Sequence, residues 1–301
     1  MIETRLNMNK KTFTIISIFF ILMQAFANDK LTNAVDCTDI TENDVGITSS
    51  FDIDGIFGSY NNKQGRTATG VRRSYRGFIY GVEATLTKKF SKNWFSIVNG
   101  NYKEGLIKYR GFGTMSNREF YYEIRALTGY DFIYESFSIA PYLGLGFRCF
   151  YNLDEPLSSL DYVGYDKRDQ YWYIPIGFFH HFKAKMKSAY IISNIEVDYF
   201  IRGFRYCYYD QLKNASKGYY LNYGNEEYPQ KKGFGCRGSC LLASERFAVG
   251  PYLIYWLVGY SNYKTSNYIE YLNNVGTDAS ITERILKNYT MEIGAKGYFR
   301  F

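Results

Sequence analysis

Histidine is nearly missing from this chain: His180 and His181 are the only two in 301 residues. A general base working near neutral pH is most often a histidine, so Ser–His and related chemistries have almost nowhere to reside. Adjacent residues on a strand project to opposite faces, so the two cannot serve as joint ligands of one ion. No HxH, HExxH or CxxC spacing occurs, which removes the common zinc sites. The Gly-rich stretch Gly233–Cys240 (GFGCRGSC) lacks the Lys-Ser/Thr ending of a phosphate loop; glycine in a crowded wall accounts for it better. No cofactor and no metal are therefore expected. The cysteines Cys37, Cys149, Cys207, Cys236 and Cys240 are odd in number, so at least one stays unpaired within the monomer. Cys236 and Cys240 would share a strand face roughly 13 Å apart, beyond disulfide reach of each other. A bridge from Cys207 to the strand that holds them remains open.

Basic runs are lacking as well. The net charge is +7, yet no five consecutive Lys/Arg residues occur and the cations are dispersed, so nucleic acid is not an expected partner. Long apolar runs are confined to the N-terminus. There Lys10 and Lys11 precede the apolar stretch Thr12–Met23 and the small-residue site Ala25-Phe26-Ala27. That pattern is a secretory signal cleaved after Ala27, giving Asn28 as the first mature residue, with Met8 as an alternative start. The run is shorter than the roughly 20 residues a spanning helix needs. Beyond it nothing approaches that length. A membrane location for the rest therefore demands a closed barrel, because lipid leaves no other way to satisfy every backbone group.

What the chain has in excess is aromatic residues: 32 Tyr and 24 Phe, 20% with Trp included. Such rings suit membrane interfaces, apolar in body and wettable at the tip. Alternation with a period of two accompanies them. In Tyr289–Phe301, one face carries Tyr289, Met291, Ile293, Ala295, Gly297, Phe299 and Phe301. The other carries Glu292, Lys296 and Arg300 with every charge. Phe137–Tyr151, Gly77–Thr87 and Ile191–Arg202 alternate as clearly. Ten segments follow, at about 48–60, 75–90, 93–110, 118–133, 137–152, 170–182, 189–206, 232–243, 247–261 and 289–301. Short turns near 90–93, 133–136, 183–188 and 243–246 alternate with longer connections at about 61–74, 111–117, 153–169, 207–231 and 262–288. The expected fold is all-β: one antiparallel transmembrane barrel over 48–301 of about ten strands, eight and twelve being the neighbouring even counts. Residues 28–47 read as a periplasmic tail.

The face opposite the apolar one collects charges of both signs: Asp52, Asp54, Glu83, Glu123, Arg125, Arg148, Glu196, Asp198, Arg202, Arg237, Glu292, Lys296 and Arg300. Ten strands leave an interior only modestly wider than eight, which side chains fill. Unpaired charges there are costly, so the set is expected to pair and to plug the lumen. Asp52 or Asp54 should meet Lys296 or Arg300 at the seam of first and last strands. Function then falls to the external loops. The first carries Lys63, Arg66, Arg72 and Arg73 with no acid nearby, a patch suited to phosphates of lipopolysaccharide or to acidic glycans. The third is acidic, with Asp154, Glu155, Asp161, Asp166 and Asp169.

A final strand ending on Phe299 and Phe301 resembles the C-terminal signature of bacterial outer-membrane barrels, which implies recognition by the barrel-insertion machinery. Over 48–301 the pattern of strands and loops resembles the opacity-type and small porin-like barrels of Gram-negative bacteria. That resemblance implies residence among outer-membrane lipids and lipopolysaccharide, and a non-enzymatic role as surface structure or as an adhesin toward a host or neighbour-cell glycan or protein. A narrow channel for small solutes is the alternative. Omptin proteases, also ten-stranded, place carboxylates and a His at the external rim. Here both histidines fall beside a short turn, at the opposite end. If the C-terminal reading holds, Phe301→Asp should leave the bulk of the chain unfolded in the periplasm, measured by cell fractionation; normal amounts of folded barrel would refute it.

Overall fold

The structure, a computed structural model, describes residues 45–66, 70–91, 93–111, 113–153, 166–183, 189–208, 219–221, 225–272 and 275–301. The expected signal segment, most of the expected tail and Cys37 lie outside them. In chain order the strands are β1 (Ser50–Arg66), β2 (Arg72–Lys89), β3 (Trp94–Arg110), β4 (Thr114–Tyr130), β5 (Phe132–Ile133), β6 (Phe137–Leu153), β7 (Lys167–Lys183), β8 (Tyr190–Cys207), β9 (Tyr219–Leu221), β10 (Glu226–Gln230), β11 (Gly233–Ala243), β12 (Phe247–Val258), β13 (Lys264–Leu272), β14 (Val275–Glu283) and β15 (Asn288–Arg300). Ten of them close an antiparallel ring, β1-β2-β3-β4-β6-β7-β8-β11-β12-β15 and back to β1. The seam pairs Asp52 with Arg300 and runs in unbroken register to Gln64 opposite Asn288. β10 extends the wall beside β8, while β9, β13 and β14 form a separate three-stranded sheet.

Alternation explains both faces. Outward positions carry Ile53, Phe57, Phe78, Val82, Leu143, Leu145, Ile176, Ile195, Val197, Leu253 and Ile293, all exposed, a band that only lipid can cover favourably. Aromatic pairs bound it. At the end with short turns these are Trp94–Tyr130, Tyr134–Phe137 and Phe299–Phe301, with ring centroids 5.3, 4.6 and 5.0 Å apart. Toward the other end stand Phe120–Tyr151 and Phe147–Trp172, both at 4.7 Å. Inward, large rings lie against glycine: Tyr173 pairs with Gly146 across β6 and β7, where any Cβ at Gly146 would strike the Tyr173 ring.

Several sequence expectations change here. The first two long connections, 61–74 and 111–117, are mostly strand: β1 and β2 run to Arg66 and from Arg72, and β3 and β4 to Arg110 and from Thr114. Polar outward residues such as Asn61, Lys63 and Ser116 read as loop, but their backbones stay in the ladder. Parts of 207–231 and 262–288 are likewise strands, β9, β10, β13 and β14. Val45 and Ile47, at the end of the segment read as a tail, are buried at the turn end. Ile47 packs with Phe95, Ile97, Leu127 and Tyr142, and its N–H donates to Asp131 Oδ2 at 2.6 Å.

Strands of 17 residues extend about 56 Å at ~3.3 Å per residue. Tilted by about 40°, they rise about 43 Å, well beyond the ~25 Å apolar band of such barrels. Part of the wall therefore lies beyond the height such a band can cover. A ring closed in this way should resist detergent: unboiled protein should migrate apart from boiled protein on a denaturing gel, and one boiling-independent band would contradict the closure.

Candidate functional site in the barrel lumen

Alternate residues of nearly every strand meet in the lumen, in three tiers. At the turn end, Arg300 Nε donates to Asp52 Oδ1 at 2.8 Å, and Lys296 Nζ reaches past β1 to Glu83 Oε1 on β2 at 3.3 Å. The seam pair expected between first and last strands is thus Asp52 with Arg300. Asp54 is buried opposite Tyr298 and Glu83, with Oδ1 unpartnered.

The middle tier spans the ring. Arg237 on β11 donates to Glu123 on β4 through Nη1 and Nη2, both at 3.0 Å. It also meets Glu196 at 2.7 Å and Asp198 at 2.8 Å. Arg125 holds Glu196 at 3.0 Å and turns its other side to Asn99. The hydroxyls of Tyr173 and Tyr142 donate to Glu123 at 2.5 Å and Glu196 at 2.6 Å. Beside this cluster Lys103 pairs with Glu292, which also accepts from Tyr121 at 2.5 Å and Tyr252 at 2.6 Å. Glu123, Glu196 and Glu292 are each 1% exposed and Asp198 0%, so these carboxylates are withdrawn from water.

In the third tier, nearer the loop end, Arg205 forms a two-pronged pair with Asp169, both contacts at 2.5 Å. Arg148 lies over the Tyr121 ring at 4.4 Å and near Trp256 at 5.7 Å.

Twelve of the thirteen sequence-chosen charges point inward. Arg202 does not. A bulge between Trp172 and Tyr173 leaves Ile201 without a cross-strand partner on β7, and the phase of β8 shifts. Phe200 is buried and Arg202 is exposed, lying over the Phe204 ring at 4.4 Å. The same shift brings Arg205 inward, so its partner Asp169 belongs to the lumen and not to an acidic loop; Asp154, Glu155 and Asp161 lie outside the described residues. Lys103 was missed because both faces of β3 mix polar and apolar residues. The basic patch is relocated too: Lys63 and Arg66 are on β1, Arg72 and Arg73 on β2, and Arg66 faces Arg72 across the hairpin. Phe299 and Phe301 point outward at the turn end, where the Phe301 N–H donates to the Phe51 carbonyl at 2.9 Å.

No disulfide joins Cys149, Cys207, Cys236 and Cys240. Among the described residues no group of three or more His, Cys, Asp or Glu could hold a metal ion. Both histidines lie on β7 within four residues of its end at the short turn.

No protein-family model and no curated protein sequence matches the chain. Among solved structures, the outer membrane protease OmpT of Escherichia coli is similar with a TM-score of 0.51 at 9% identity, over 84% of this chain and 97% of that one. The attachment invasion locus protein Ail of Yersinia pestis is matched over 85% of this chain and 100% of its own at 11% identity, with a TM-score of 0.29. The transport unit of the Escherichia coli autotransporter AIDA-I is matched over 91% and 96% at 8% identity, with a TM-score of 0.35. The likeness is one of fold: the chain is a closed ten-stranded antiparallel β-barrel, the fold of the outer-membrane protein OmpT.

Removing one partner of a buried charge cluster strands the others. Arg237→Met, which leaves Glu123 and Asp198 without their cation, should cost about 3–5 kcal/mol in urea unfolding. Adding Glu123→Gln should recover part of the loss. An unchanged midpoint in Arg237→Met would mean that the cluster is solvated.

Proposed function

We propose that this barrel is a non-catalytic surface protein, closed to solute flow, which presents its projecting wall and external strands to a glycan or protein of a host or neighbouring cell. The observation that carries this reading is the closed middle tier, in which Arg237 joins Glu123, Glu196 and Asp198 across the full width of the ring. Opening it for transport would separate buried opposite charges, so a narrow solute channel is disfavoured. With strands that outreach the bilayer and a further sheet of β9, β13 and β14, the exposed material lies on the outside, as a surface-binding role of the opacity type requires.

Catalysis of the omptin kind is disfavoured by His180 and His181, which sit at the turn end of β7. Anchoring in lipopolysaccharide is supported by the outer wall. Arg76 and Lys108 face one another across β2 and β3 and both point outward, with Arg110 and Arg118 nearby. Like charges directly opposite on a sheet repel; phosphates lying between them would turn that repulsion into attraction. Glu104, paired with Arg118 at 2.7 Å, is the acid of this region.

Two measurements decide the role. In planar bilayers the refolded protein should give no single-channel steps. Deleting 264–283, the β13–β14 hairpin, should keep the gel shift of a folded barrel but abolish adherence of expressing cells to glycan arrays or host cells. Steady conductance of the intact barrel would favour the channel, and undiminished adherence after the deletion would remove the hairpin from the binding surface.

A further inference from the structure

Above the Lys103–Glu292 pair the lumen opens into a small, water-sized cavity of about 20 Å³, partly open to the outside. Its wall includes Tyr60, Phe150, Tyr171, Trp256, Arg148 and Asn288. Three donors on this wall have no hydrogen-bond partner: Arg148 Nη1, Trp256 Nε1 and Asn288 Nδ2. All three residues are buried, at 3%, 2% and 2% exposure.

Arg148 differs from six other inward cations. Lys103, Arg125, Arg205, Arg237, Lys296 and Arg300 each have a carboxylate within ion-pair distance. Arg148 has none among the described residues; its contacts are the faces of Tyr121 and Trp256. The nearby acids are committed elsewhere. Asp169, on the cavity wall, is held at both oxygens by Arg205; Glu123 is held by Arg237, and Glu292 by Lys103, Tyr121 and Tyr252.

A desolvated guanidinium with stacked faces and an unpaired N–H edge is costly unless something occupies that edge. Guanidinium N–H groups match a carboxylate in geometry as well as in charge. The flanking indole and amide N–H groups add neutral donors; the cavity has room for the carboxylate head alone, and the aromatic rim suits an apolar body lying at its open mouth. We propose that this cavity is a binding site for a small organic carboxylate entering from the loop end, with Arg148 holding the anion and Trp256 and Asn288 donating to its second oxygen. The site lies above the plug and needs no passage through it, so it stands or falls independently of the surface role.

Trp256 supplies the readout, since Trp94 and Trp172 face outward and are exposed. The full-length barrel, refolded in detergent, is titrated with benzoate at constant ionic strength and followed by tryptophan fluorescence, with acetate and phosphate as comparison anions. Benzoate should produce a saturable change, acetate a weaker one and phosphate the weakest. Arg148→Met should weaken benzoate binding at least about tenfold, the loss expected for one charge-assisted hydrogen bond. Because Arg148→Met removes a wall residue and could impair folding, Asn288→Asp is the companion. It places a carboxylate on the cavity wall in nearly the same volume. It should raise the thermal unfolding midpoint and abolish benzoate binding. The proposal is overturned if wild type shows no saturation, which would leave the three donors to water, if phosphate binds as well as benzoate, or if a folded Arg148→Met or Asn288→Asp variant binds benzoate like wild type.

Discussion

Desolvation of charge inside the ring is the constraint on which the rest of the molecule depends. Moving a carboxylate or guanidinium out of water costs several kcal/mol even after relaxation, and this lumen holds many of both. Each is tolerable only where an opposite charge and a few hydroxyls close around it. Arg237 therefore needs Glu123, Glu196 and Asp198 at once, and Glu292 needs Lys103 with two tyrosines. These partners sit on strands far apart in sequence, so the network forms only when the ring closes. Closure and charge pairing are one event. The wall cannot be assembled in an alternative register without exposing the lumen charges to lipid.

The abundance of tyrosine follows from the same constraint. A lumen lined with charge needs donors that reach inward from a narrow wall and bring apolar volume with them. Tyr121, Tyr142, Tyr173 and Tyr252 do both: their rings fill space and their hydroxyls donate to Glu292, Glu196, Glu123 and Glu292. Glycine opposite these rings makes the room, as Gly146 does for Tyr173. On the outer face the aromatic residues serve another purpose, marking the two edges of the lipid band. The composition is high in aromatics because two separate environments select for them.

Much of the fold was legible in the sequence because lipid and lumen impose opposite chemistries on successive residues. β15 and β6 show it: their apolar and polar faces separate without exception over most of their length, and the strand count and pairing follow. Strand ends were less legible. Lipid enforces an apolar outward face only within its own thickness, so Asn61, Lys63 and Ser116 look like loop while their backbones remain paired. Inward assignment on β8 failed at Arg202 because one bulge residue inverts the phase, and the bulge leaves no mark in composition. Partner choice was least legible. Nothing local to Lys103 points to Glu292, and nothing local to Asp169 points to Arg205; both pairings arise from the curvature of the ring.

That curvature also explains why one end of the lumen differs from the other. Near the turn end and at mid-depth, acids and bases alternate around the ring closely enough for every cation to find an anion. Toward the loop end the inward positions of β12 become Trp256 and Val258, while β15 and β1 contribute Asn288, Thr290 and Asn62. The acid on that wall, Asp169, is taken by Arg205, and the nearest neighbours of Arg148 are rings. The third tier reuses the grammar of the plug, a guanidinium held among tyrosines and an indole, but omits the carboxylate. With Lys103, Arg125, Arg205, Arg237, Lys296 and Arg300 each matched to a carboxylate, one missing anion next to an open cavity is a property of that position. It sets the site apart from the structural network beneath it.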